Sequence, residues 1–138
     1  MGLDQYAYAA ATETQYNDYW DGGEWDKELA EYVNKKVEKP REIHYWRKHP
    51  NLHGWMEKLW LEKGGDPDIS FNGIQLELTW EDLERLEKDI KASALPPTTG
   101  FFFGESSDDY YREQDLGFIK NARAEIFVGL RVFYNSSW

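Results

Sequence analysis

Glu42-Ile43-His44-Tyr45-Trp46-Arg47-Lys48 runs without a spacer into His49-Pro50-Asn51-Leu52-His53-Gly54-Trp55-Met56-Glu57-Lys58-Leu59-Trp60, and this junction decides the fold class. In its first half Ile43 and Tyr45 fall on one face of an extended chain and His44 and Trp46 on the other, the period of a strand. In its second half Pro50 stands at the first helical position, where a missing N–H costs nothing. Leu52, Trp55, Met56, Leu59 and Trp60 then recur at the spacing of an apolar helical stripe, and Gly64-Gly65 ends it. A strand that hands over directly to an amphipathic helix belongs to a domain in which helices cover a sheet.

The flanking sequence extends that pattern. Residues 3–9 alternate as a first strand, with Asp4, Tyr6 and Tyr8 on one face. The polar stretch Thr12 to Glu28 reads as a loop and Leu29 to Val37 as a short helix. Residues 74–78 alternate cleanly, as a strand with one wet face does. Thr79 and Asp82 form a capping-box pair before a helix whose inner face is Trp80, Leu83, Leu86 and Ile90. Phe101-Phe102-Phe103 between glycines reads as a short buried strand. A long helix from about 114 to 130 turns Leu116, Ile119, Ala122, Ile126 and Phe127 inward, and residues 131–136 form a last strand. The expected fold is α+β: a single domain over 1–138, with a mixed sheet of about five strands covered mainly on one face by three or four helices.

Composition bounds the function. The 138 residues contain no cysteine, which excludes disulfides, thiol nucleophiles and Cys-based zinc sites. A net charge of −10 argues against a duplex nucleic-acid binder, which needs surplus Lys and Arg. No stretch approaches a membrane span, and the N-terminal residues lack the basic and apolar regions of a signal peptide, so a cytoplasmic protein is expected. Residues 34–48 run against the overall charge, with six basic side chains and two acidic ones, a strip that suits steering of an anionic ligand or pairing with a second copy. The loop residues Glu105, Asp108 and Asp109 lack the alternation of a calcium loop and read as a solvated acidic segment.

One cluster has the chemistry of a ligand site. Tyr45 and Arg47 share a strand face at its C-terminal end, and the helix that follows offers free amides and a positive dipole end to an anion. Arg47 adds a bidentate fork, Tyr45 or Trp46 a stacking surface, and His53 a polar reader or acid–base group. The hydroxyls of Thr98 and Thr99, on a loop hinged at Gly100, line the same pocket beside Asp4 and Tyr6. The competing reading is structural: Arg47 pairs with a carboxylate, His53 hydrogen-bonds the backbone, and Thr98 to Gly100 is a turn. His49 and His53 have the spacing of a metal pair, but the helix lacks the Glu of the metalloprotease motif, so they read as surface or capping histidines. No metal or cofactor is expected.

Four separated signatures stand in order along the chain: Met1-Gly2-Leu3-Asp4; Tyr45-Trp46-Arg47-Lys48 with His53 downstream; Thr98-Thr99-Gly100-Phe101-Phe102-Phe103-Gly104; and Ser136-Ser137-Trp138. In these the chain resembles a family of small bacteriophage, prophage and marine phage-like proteins. The resemblance implies a viral or virus-derived origin and no particular chemistry. Together with the acidity and with aromatics such as Trp20, Trp25, Tyr110 and Tyr111 in polar segments, it leads to the expectation of an accessory protein that binds a protein partner or its own copy. The alternative is a binder of, or enzyme for, a small anionic ligand, nucleotide-like ones included, at the Arg47–His53 corner.

Overall fold

The chain folds as strands β1 (Asp4–Ala10), β2 (Glu24–Asp26), β3 (Glu31–Val33) and β4 (Arg41–Arg47), helix α1 (Pro50–Glu62), strand β5 (Leu76–Leu78), helices α2 (Trp80–Lys91) and α3 (Asp108–Phe127), and strand β6 (Arg131–Ser137). The computed structural model describes residues 2–12, 15, 19, 24–26, 31–33, 38–99 and 108–138. The stretch 101–103, read as a strand, and Gly100 lie outside the described residues.

The architecture is α+β, with one open sheet in the order β4-β1-β6-β5 and a separate two-stranded pairing of β2 with β3. Among the described residues the main sheet has four strands; the fifth expected strand falls on 101–103, outside them. Every described pairing is antiparallel, which corrects the expectation of a mixed sheet. The first and last strands of the sequence lie side by side at its centre, and two helices in succession, rather than one crossover helix, separate β5 from β6. Leu29 to Val37 contains β3 instead of a helix, and the 12–28 loop contains β2. Tyr32 and Val33 are β-formers that gain ladder bonds by pairing with Trp25 and Glu24, a non-local partner that a local helical pattern does not reveal.

Alternation along β1 and β6 divides the sheet into two faces. Gln5, Ala7, Ala9, Val132, Tyr134 and Ser136 point inward and are buried, and Trp46 of β4 joins them. Helices α1, α2 and α3 complete this core with Leu52, Met56, Leu59, Leu83, Leu86, Phe118, Ile119 and Ala122. Between Ala7 and Tyr8 the pairing with β4 slips, leaving Ile43 without a partner on β1 and packed against the core.

Side chains occupy backbone groups at both sheet edges. The Lys63 ammonium donates to the Glu77 carbonyl of β5 at 2.8 Å. At β4 the Tyr111 hydroxyl accepts from the Arg47 N–H at 3.1 Å and donates to the Arg47 carbonyl at 2.6 Å. Groups so occupied are not offered to a foreign strand.

Two apolar residues leave the faces their spacing assigned. Trp80 is 37% exposed; its indole donates to Glu84 and Arg123 lies over its ring, so it sits beside the core. Phe127 is 84% exposed. The buried stripe of α3 is centred on Tyr111, Asp115, Phe118, Ile119 and Ala122. At about 100° per residue Phe127 falls roughly 120° from Asp115, outside it.

The capping box forms as read: Thr79 Oγ1 accepts from the Asp82 N–H at 3.2 Å, and Asp82 Oδ2 accepts from the Thr79 N–H at 2.9 Å. Thr79→Ala is expected to lower stability by about 1 kcal/mol, seen as a lower urea midpoint with an unchanged slope.

Candidate functional site

The structure divides the residues of the Arg47–His53 corner between the two sides of the sheet. On the outer side β1 and β4 bring Asp4 opposite Arg47 and Tyr6 opposite Tyr45. The Tyr45 hydroxyl donates to Asp4 Oδ1 at 2.5 Å, and an Arg47 nitrogen lies 3.4 Å from the same oxygen. The Tyr6 and Tyr45 rings are 5.3 Å apart, and Tyr6 stacks on Tyr8 at 6.1 Å. The hydrogen bond to Asp4 pushes the Tyr45 hydroxyl above the usual phenol range. Burial and then the Asp4 charge do the same for Tyr6. Both rings are therefore neutral at pH 7 and offer stacking faces and hydroxyl hydrogen bonds rather than a base.

On the inner side lie Trp46 and His53. His53 is 1% exposed, its Nδ1 is 2.7 Å from the Tyr134 hydroxyl, and Phe71 and Trp138 flank the ring at 5.1 and 4.8 Å. Burial holds its pKa down to about 4, so the ring is neutral at pH 7. Burial likewise pushes the Tyr134 hydroxyl far up. His53 thus joins α1 to the centre of the sheet, on the side away from Arg47.

Thr98 packs against α1 rather than beside Asp4 and Tyr6. Its N–H donates to Asn51 Oδ1 at 2.9 Å and its hydroxyl to the Pro96 carbonyl at 2.9 Å. Gly54 permits the approach, since a Cβ there would stand 1.8 Å from Thr98 Oγ1. Thr99 is exposed.

A second polar cluster, absent from the sequence reading, sits where α1 begins under the start of α3. His49 holds the N-cap position of α1 but is no surface residue: it is fully buried, and its side chain makes no cap. Gln5 holds its backbone at both ends, accepting from the His49 N–H at 2.9 Å and donating to the His49 carbonyl at 3.1 Å. The ring stacks on Tyr111 at 4.6 Å, so Tyr111 is buried as well, whereas Tyr110 is 72% exposed. His49 Nε2 lies 2.8 Å from Asp115 Oδ2, and the Trp46 indole donates to Asp115 Oδ1 at 2.8 Å. Asp108 is no free loop residue; its Oδ2 accepts from Asn51 at 3.1 Å and its Oδ1 lies 3.8 Å from His49 Nδ1. The signal in the sequence was Asp115 itself, four residues from both Tyr111 and Ile119, a carboxylate in the middle of an apolar stripe. Such a group needs buried donors, and Trp46 and His49 supply them.

The described residues contain no group of three or more His, Asp or Glu arranged to hold a metal ion, and none of their helices is long and apolar enough to cross a membrane. The basic strip is partly neutralised within the fold, Arg41 by Glu125 and Arg47 by Asp4.

Exposed apolar surface concentrates at the end of α3. Phe127 and the adjoining Val128 are 84% and 70% exposed. Ile126 and Leu130 from the same turn line a shallow groove with Leu78 and Trp80, rimmed by Glu77, Glu81 and Arg131. No family model, curated protein or solved structure matches this chain.

Proposed function

We propose that the chain is a phage-type accessory protein that acts by binding a protein partner, through the apolar end of α3. The exposed Phe127–Val128 pair carries this reading: two large apolar side chains left in water next to an apolar groove cost solubility and mark an interaction surface. Charge selects the partner. A second copy brings another −10, and strand pairing at Glu77 and Arg47 meets backbone groups already occupied by Lys63 and Tyr111. The fitting partner is a different protein with an apolar recess and a basic rim.

The small-anion reading has less geometry behind it. Arg47 faces the Asp4 carboxylate, and His53 and Trp46 lie on the opposite side of the sheet.

The test compares what the parent and a Phe127→Glu/Val128→Glu variant retain from a host lysate. Both side chains are exposed, so the variant's folding stability stays within about 0.5 kcal/mol of the parent's. The expected result is a protein held by the parent and released by the variant. Identical retained sets, or a parent that retains nothing, would overturn the proposal.

A further inference from the structure

We propose that His49 and Asp108 form a proton-operated latch that fastens the first turn of α3 to the start of α1. The observation is a pair of buried polar atoms, His49 Nδ1 and Asp108 Oδ1, that face each other at 3.8 Å with no hydrogen-bond partner. Asp115 already accepts from the Trp46 indole and lies 2.8 Å from His49 Nε2, which fixes the ring's N–H on the Nε2 side. In the neutral ring Nδ1 is therefore an acceptor, and it faces an acceptor. Two buried lone pairs with no donor between them repel, and each forgoes the hydrogen bond it had in water. One added proton on this line reverses the sign. The ring then carries a cation between two carboxylates, and Nδ1 donates to Asp108.

Among the described residues the ring, with its two carboxylates, is surrounded by groups of α3, α1, β1 and β4. From α3 it meets Asp108, Tyr111 and Asp115; from α1, Asn51 holds the other Asp108 oxygen; from β1, the uncharged Gln5 holds the backbone. From β4 come Trp46 and His44. His44 also feels the Asp115 charge, but burial holds its pKa down. Lys48, next in the chain, is exposed. The bistable element is the start of α3, because Asp108 is its first residue and is partly exposed, while Asp115, two turns on, stays buried in both states.

Amide hydrogen exchange of Arg112 to Asp115, whose N–H groups bond back onto the first turn, reads the latch directly. Protection relative to the intrinsic rate is expected to fall at least tenfold when the pH is raised from about 5 to 8. Asp108→Asn places an N–H donor opposite the neutral ring's Nδ1 and keeps the oxygen that Asn51 needs, so at pH 8 its protection is expected to reach the parent's acid value. Asp108→Ala removes the contact and gives the low value at both ends. Equal protection of the parent at both pH values would overturn the latch. So would low protection of Asp108→Asn at pH 8, or high protection in Asp108→Ala.

Discussion

Lowering the pH from 7 to 4 is expected to remove about 3 kcal/mol of folding stability through His53 alone. An unfolded histidine takes up its proton near pH 6.5, whereas burial among Tyr134, Phe71 and Trp138 holds the folded ring at about 4. A depressed folded value means that acid favours the unfolded chain. The contribution of the neutral ring is complete above about 6.5 and lost as the pH falls toward 4. The full shift of two and a half pH units is about 3.5 kcal/mol at about 1.4 each, and about 3 of it is lost between pH 7 and pH 4. Urea unfolding of the parent and of His53→Gln at pH 7 and pH 4.5 isolates it, because carboxylate titrations are common to both. The glutamine can still hydrogen-bond Tyr134, so it is expected to cost about 1 kcal/mol at pH 7 and, spared the roughly 2 kcal/mol that His53 loses by pH 4.5, to be the more stable protein there. Parallel pH dependences for the two proteins would show that His53 is not the buried neutral group described.

The second large effect belongs to Asp115. Asp115→Ala strands the Trp46 indole N–H and the His49 Nε2 side in a place where neither reaches water. Each buried donor left unsatisfied costs about 1–3 kcal/mol, so the two together take a large share of the total stability of a domain this size. Loss of cooperative thermal unfolding, or a Tm lower by more than 10 °C, is the expected result. Trp46→Phe removes only one donor and leaves Asp115 with His49, so its cost in hydrogen bonding is about 1 kcal/mol. An Asp115→Ala protein as stable as the parent would mean that the contacts at 2.8 Å contribute little to holding α3 on the sheet.

What the sequence disclosed and what it withheld follow from the range of each signal. The Leu52–Trp60 stripe and the Thr79–Asp82 box are local, completed within two helical turns, and both stand in the structure as read. Strand alternation likewise separated the outward Asp4, Tyr6 and Tyr8 from their buried neighbours. Pairing is not local. Nothing within β1 specifies that β4 and β6 flank it, and the β2–β3 pair lay in polar segments whose patterning suggested a loop and a helix. The candidate site divided for the same reason. Adjacent strand residues point to opposite faces, so Trp46 and Arg47 cannot line one cleft, and a helix packed on the inner face carries His53 away from Arg47. Phe127 was expected on the inner face with Ile126, yet one residue is a 100° turn, and Phe127 lies outside the buried stripe.

The central claim is that α3 ends in a docking surface for a basic-rimmed protein, and the most direct measurement is an affinity. Once a retained partner is purified, its binding to the parent and to Phe127→Glu is measured by calorimetry at low and high salt. The account predicts a loss of affinity of at least tenfold in the variant, about 1.4 kcal/mol, and weaker binding of the parent as salt rises. Equal affinities for the two proteins, or binding by the parent that is indifferent to salt, would contradict it.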